Sequence, residues 1–229
     1  MRVGILLPTF RDDATEAFAM AQRAAESGLD GVFAYDHLWP MGQPHRPALT
    51  PFPVLAAVAT RVPSIMVGPL VARVGLVAPE LLVEQFRTLG ALAPGRVLAP
   101  IGTGDRLSAE ENRAYGIAYP SAHERQDLLA DVARQLRDDF EVWIGAGASR
   151  TNEIARELSV ALNVWNTSVA DIDAAITSGA WNWAGNARED IDAQLEELQE
   201  AGATWAVFSP TAPVDRIAAW RLRKSSPTR

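Results

Sequence analysis

Short apolar runs alternate with longer amphipathic ones from one end of the chain to the other, a rhythm that few folds accommodate. Val3-Gly4-Ile5-Leu6-Leu7 is the first run, closed by Pro8. From Asp13 to Ser27 the apolar positions follow helical spacing, with Ala17, Phe18, Ala21, Ala24 and Ala25 on one face. Gly28 stops that helix, and Gly31-Val32-Phe33-Ala34-Tyr35 is the second run. The pattern then repeats: helix 53–61, strand 65–71, helix 79–92 with Pro79 in its first turn, and strand 97–101. Pro100 weakens that fourth strand. Helix 122–137, strand 141–144, helix 150–159 and strand 161–165 follow. A weaker strand at 181–184, a clear helix at 189–201 and strand 204–208 complete the series.

Strands and helices that alternate with short links mean parallel strands joined by crossover helices. The segments Glu26-Ser27-Gly28-Leu29-Asp30 and Glu200-Ala201-Gly202-Ala203-Thr204 echo this unit, each with a helix end, a glycine stop and a strand start. Eight such units in 229 residues predict an α/β fold, a (β/α)8 TIM barrel, with an open doubly wound sheet as the rival. The expected organisation is one domain over residues 1–222 and a frayed tail over 223–229.

Composition narrows the function. A net charge of −7 leaves no basic excess for nucleic acid. The absence of cysteine removes disulfides, thiolate nucleophiles and zinc–thiolate sites. No run approaches the ~18 apolar residues of a membrane span, and the first residues do not read as a signal peptide. A soluble, cytoplasmic protein with no nucleic-acid or membrane partner is expected.

Barrels of this kind carry their chemistry on the loops after the strands. The second strand ends in Asp36-His37-Leu38-Trp39, and the third gives way to Ala72-Arg73-Val74-Gly75. The fourth leads into Gly102-Thr103-Gly104-Asp105-Arg106, and the fifth into Gly145-Ala146-Gly147-Ala148-Ser149-Arg150. That last loop runs straight into a helix, so it is either a plain turn or an anion site made of backbone N–H groups and a helix N-terminus. His37 is a candidate proton-transfer group, and Asp105 is either a helix cap or its acid/base partner. Trp39 and Trp165, both at strand ends, are placed to border a flat aromatic ligand. His45 and His123 lie elsewhere, so no metal site is expected.

Three segments, "GLDGVFAYDHLWP", "PELLVEQFRTLGALAPGRVLAPIGTGD" and "VWIGAGASR" followed by "NVWN", resemble the luciferase-like monooxygenase superfamily, and within it the deazaflavin (coenzyme F420)-dependent branch. The resemblance implies a cofactor across the C-terminal face of the barrel, its phosphate held by Gly145, Gly147, Ala148 and Ser149. It places Asp36 beside the cofactor and makes His37 and Asp105 the catalytic pair. It also implies a non-proline cis peptide at Pro69-Leu70 that buttresses the ring. Arg73, Arg106 and Arg150 are candidates for the cofactor's anionic tail, and Trp39 and Trp165 for the substrate side. Two departures stand out: "RQLRDDFEVWIG" replaces the family's long insertion between strands 4 and 5, and Asn163-Val164-Trp165 stands where Asp-Gly-Trp is common.

The reaction so implied is hydride transfer between F420 and a small organic substrate. The alternatives are an FMN-dependent monooxygenase served by a separate flavin reductase, and a non-catalytic flavin-binding protein or stabilising subunit. Retention of His37 and Asp105 beside the glycine loop favours the enzyme. The apolar stretch Ala48 to Ala59 is a candidate homodimer face.

Overall fold

The computed structural model describes residues 1–225, and nine strands among them form a single parallel sheet. The strands are β1 (Arg2–Leu6), β2 (Gly31–Ala34), β3 (Met66–Pro69), β4 (Ala72–Arg73), β5 (Leu98–Gly102), β6 (Glu141–Gly145), β7 (Ala161–Trp165), β8 (Trp181–Gly185) and β9 (Trp205–Phe208). Their order in space is β3-β2-β1-β9-β8-β7-β6-β5-β4. β3 lies within the expected third strand and pairs with β2, while β4, two residues read from the sequence as the loop after it, continues the same stave and pairs with β5. A parallel bridge from Val67 to Val97 joins the remaining seam, so eight staves close a (β/α)8 barrel. The stave breaks at a cis peptide between Leu70 and Val71, one residue later than the resemblance implied.

The helices form the outer layer: α1 (Thr15–Glu26), α2 (Pro51–Arg61), α3 (Pro79–Leu92), α4 (Ser108–Ala114), α5 (Ala122–Leu136), α6 (Ser149–Leu158), α7 (Ala174–Thr177), α8 (Ile191–Glu200) and α9 (Val214–Ser225). Local chemistry sets several of these ends. Ser121 and Glu124 make a reciprocal capping box on α5, and Asp190 accepts from Ala193 N to start α8. Residues 137–140 alone link α5 to β6, so the direct helix-to-strand join read from the sequence is present. Arg223 to Ser225, expected as tail, are the last turn of α9; Arg223 pairs with Asp192 at 2.8 Å and Lys224 with Glu196 at 3.4 Å. Residues 226–229 of that expected tail lie outside the described residues.

Two apolar layers follow from this arrangement. Helix stripes such as Leu82, Phe86 and Leu89 pack on the outward faces of the strands. Inside the barrel, Leu6, Phe33, Leu98, Trp143, Trp205 and Val207 form a separate cluster. Phe33, Trp143 and Trp205 meet at ring distances of 5.4, 5.5 and 5.7 Å. Glycines make room for them, since a Cβ at Gly4 would lie 2.6 Å from the Phe33 ring. Pro100 is tolerated within β5 because its ring faces Gly68 across the broken stave, and β5 pairs with β4 only from Ile101 onward. At the N-terminal end of the barrel Arg2 lies over the Trp205 ring at 4.7 Å and pairs with Glu141 at 2.8 Å. The loops that follow the strands gather at the opposite, C-terminal mouth, where barrels of this kind carry their sites.

Candidate active site

The ends of β2, β4, β5, β6 and β7 border one cleft of about 440 Å³. Its aromatic side is a stack of Phe10 on Tyr35, with centroids 5.1 Å apart and planes 7° from parallel. Trp165 meets Tyr35 edge-on at 6.2 Å and stays 47% exposed. Burial pushes the Tyr35 hydroxyl up to about 12, so it stays protonated at neutral pH. Leu70, Val71 and Met41 add apolar surface to the lining.

Asp36 is buried at the end of β2, where its Oδ2 accepts a hydrogen bond from Arg73 N at 2.7 Å. Burial pushes its carboxyl up to about 6, against the lowering effects of that hydrogen bond and of the charges of Arg73 and His37. His37 follows, half-buried, and it also lines the cleft.

The acid that meets His37 is Glu111. Its Oε1 lies 2.8 Å from His37 Nδ1, its Oε2 accepts from Leu38 N at 3.2 Å, and Arg73 Nη2 pairs with the same oxygen at 2.6 Å. Glu111 is 1% exposed and Arg73 4% exposed. Burial raises the Glu111 carboxyl, but the His37 hydrogen bond and the charges of Arg73 and His37 outweigh it and hold the group below its ordinary value. The carboxylate is therefore ionised at neutral pH, held by hydrogen bonds from His37 and Leu38 N and by the charge of the Arg73 guanidinium.

The resemblance gives that role to Asp105. The structure gives Asp105 the other reading: it is exposed, and its Oδ1 accepts from Leu107 N at 2.9 Å and Ser108 N at 3.0 Å, closing the turn into α4. It still borders the cleft. Glu111 was missed because α4 buries a polar face: Ser108, Glu111 and Asn112 are its buried residues. Hydrophobic periodicity sees nothing in such a helix. The only signal was spacing, since Ser108, Glu111 and Asn112 stand at i, i+3 and i+4.

The other expected site residues divide into two groups. Leu70, Gly145, Arg73 and Trp165 line the cleft with Asp36 and His37. Pro69 is buried one step back, in β3. Trp39 is buried away from the cleft lining and stacks on Tyr115 at 6.3 Å. Arg106 is exposed outside the lining, and Arg150 pairs along α6 with Glu153 at 3.3 Å and Glu157 at 2.8 Å. Arg73 is not a free rim cation either, because Glu111 engages it. Among the described residues no group of three side chains is arranged to hold a metal.

Two features suit a bound ligand. Gly147, Ala148 and Ser149 are exposed at the start of α6, and Ala148, the N-cap, supplies no side-chain hydrogen bond to the helix. The first-turn N–H groups and the helix dipole there can receive a phosphate. In the cleft wall, Asn163 Oδ1 and Arg73 Nε and Nη1 are buried with no hydrogen-bond partner among the described residues. Complementary N–H and carbonyl groups on a ligand would satisfy them.

A parallel barrel with a polar, aromatic-walled cleft at its C-terminal mouth is the architecture in which TIM-barrel enzymes carry their active sites. The family model described as luciferase-like monooxygenase matches residues 1–153, and the chain belongs to that family. It is 29% identical over 223 residues to an F420-dependent hydroxymycolic acid dehydrogenase of Mycobacterium tuberculosis, covering 91% of this chain and 59% of that protein. It is 36% identical over 127 residues to an F420-dependent glucose-6-phosphate dehydrogenase of Kineococcus radiotolerans, covering 54% of this chain and 35% of that one. The chain thus matches less than two thirds of the length of these relatives. In structure it resembles an F420-dependent secondary alcohol dehydrogenase in complex with an F420–acetone adduct, with TM-score 0.78, 12% identity and 99% and 98% of the two chains covered. At that identity the likeness speaks for the fold.

Among the described residues no helix is long and apolar enough to cross a membrane.

Proposed function

We propose that this chain is an oxidoreductase that transfers a hydride between coenzyme F420 and a small organic substrate. The observation that carries the reading is His37, anchored by Glu111 in a cleft with aromatic walls, beside the uncapped start of α6. The relatives named as F420-dependent dehydrogenases support the same choice of cofactor.

Bound in this cleft, the deazaflavin would supply a two-electron hydride carrier at its C5 carbon. The N–H groups of Ser149 and Arg150 are the candidates to hold its phosphate, and Gly145 and Gly147 leave the backbone open to approach. Phe10, Tyr35 and Trp165 would flank the flat ring, while Asn163 and Arg73 offer their unpaired polar atoms to its edge. His37 would move the substrate's proton, and Leu70, Val71 and Met41 would keep water from the reacting atoms. The same reading takes residues 1–222 as one working domain in the cytoplasm; the homodimer face expected at Ala48 to Ala59 loses its apolar basis, because Val54, Leu55, Val58 and Ala59 are buried in the chain's own core.

Replacement of His37 by alanine separates an enzyme from a carrier. Bleaching of oxidised F420 with a panel of small alcohols and sugar phosphates would be followed for both forms. The enzyme reading expects turnover with at least one substrate, and a loss of about 10²–10⁴-fold in His37→Ala with cofactor still bound. Equal behaviour of the two forms would contradict it. Oxygen-dependent turnover with reduced FMN would move the reading to a monooxygenase.

A further inference from the structure

We infer that Glu111 is a positioning residue, which acts through His37 by fixing the ring's tautomer and holding it against α4. The inference rests on the proposed role of His37 for its meaning in catalysis, though its geometry stands apart from any cofactor.

Glu111 comes from a helix that contributes no other carboxylate to His37, yet one oxygen faces the imidazole and the other takes the next backbone N–H, that of Leu38. An ionised carboxylate is acceptor-only. The 2.8 Å contact therefore requires the proton on Nδ1, in the neutral ring as in the charged one. Nε2 is then the one ring nitrogen left for exchange with a substrate, and in the neutral ring it is an acceptor. An unconstrained imidazole prefers the opposite tautomer, with hydrogen on Nε2. Arg73 completes the arrangement: its guanidinium, 2.6 Å from Glu111, keeps a buried carboxylate charged where burial alone would favour protonation. The chain Arg73–Glu111–His37 thus spans the ends of two staves and a helix, and Asp36 ties the same loop to Arg73 N. Third groups that orient a catalytic histidine through its other nitrogen act in this way.

The test is a two-bond ¹H–¹⁵N correlation spectrum of the whole chain labelled in histidine, recorded near pH 8 without cofactor or substrate. The chain has three histidines, and His37→Asn identifies the signal. The expected wild-type pattern for His37 carries a proton on Nδ1 whether or not Nε2 is also protonated, with exposed His45 and His123 in the Nε2–H form. In the double variant Arg73→Met, Glu111→Leu, which removes both buried charges together, His37 is expected to revert to mainly Nε2–H. A wild-type His37 in the Nε2–H form would overturn the inference, as would a folded double variant that keeps Nδ1–H. Should the double variant not fold, the wild-type spectrum decides alone. The Nδ1–H form in a protein that never reduces F420 would leave Glu111 as a positioning residue and sink only the proposed function.

Discussion

Glu111 Oε2 and Arg73 Nη2 lie 2.6 Å apart in a part of the barrel mouth where both side chains are at least 95% buried. Removing one partner alone leaves an uncompensated buried charge. Glu111→Ala is expected to lose about 3–5 kcal/mol of stability, because the guanidinium of Arg73 would remain desolvated. The pair removed together, in Arg73→Met with Glu111→Leu, should recover most of that loss. Urea denaturation of wild type, Glu111→Ala, Glu111→Leu, Arg73→Met and the double variant checks this, and a double variant whose loss equals the sum of the Arg73→Met and Glu111→Leu losses would show that the two residues do not form a pair.

Asp36 gives the site a pH dependence of known sign. Its folded value of about 6 lies above the ordinary 3.8, so the folded chain binds its proton more tightly than the unfolded one. The stability this contributes is complete below about pH 4 and is lost as pH rises through about 6. Asp36→Asn keeps an acceptor for Arg73 N but cannot ionise. It should therefore be more stable than wild type at pH 7.5, by up to about 3 kcal/mol, with the advantage gone at pH 4. Urea titrations at both pH values measure it.

The crowded barrel interior predicts an opposite effect from adding a single methyl. A Cβ at Gly4 would meet the Phe33 ring at 2.6 Å and Gly31 O at 2.9 Å, whereas one at Gly147 meets nothing within 4 Å. Gly4→Ala should cost about 1–3 kcal/mol and lower Tm by about 2–10 °C, while Gly147→Ala stays near wild type. Calorimetric scans of the two variants make the comparison.

Ala148→Asp turns the same helix start into two measurements with opposite signs. A carboxylate at this N-cap would satisfy the open N–H groups of α6 and stabilise the chain by about 0.5–2 kcal/mol. It would also repel a phosphate, so F420 binding should weaken by about tenfold or more. A gain in Tm with unchanged affinity would place the phosphate elsewhere.

What could be read in advance follows the physics of each element. The alternation of buried strands with one-sided helices is written in residue spacing, so α3 falls at Pro79–Leu92 as expected and β7 at Ala161–Trp165. His37 was legible because strand ends place side chains at the mouth. Glu111 was not, because a short helix that buries serine, glutamate and asparagine looks like a solvated one. The break at Leu70–Val71 has no local signature either; it depends on two neighbours, β2 and β5, that pull the halves of one strand into different pairings. α9 carries a helical pattern in Val214, Ile217 and Trp220, all buried, but it follows the last strand, so no strand after it marks it as part of a unit.

The central claim is the cofactor, and a fluorescence titration of the purified chain with F420, and separately with FMN in both redox states, tests it most directly. Saturable binding of F420, at least tenfold tighter than FMN and weakened in Ala148→Asp, is the predicted result. Preference for FMN, or binding of neither, would contradict it.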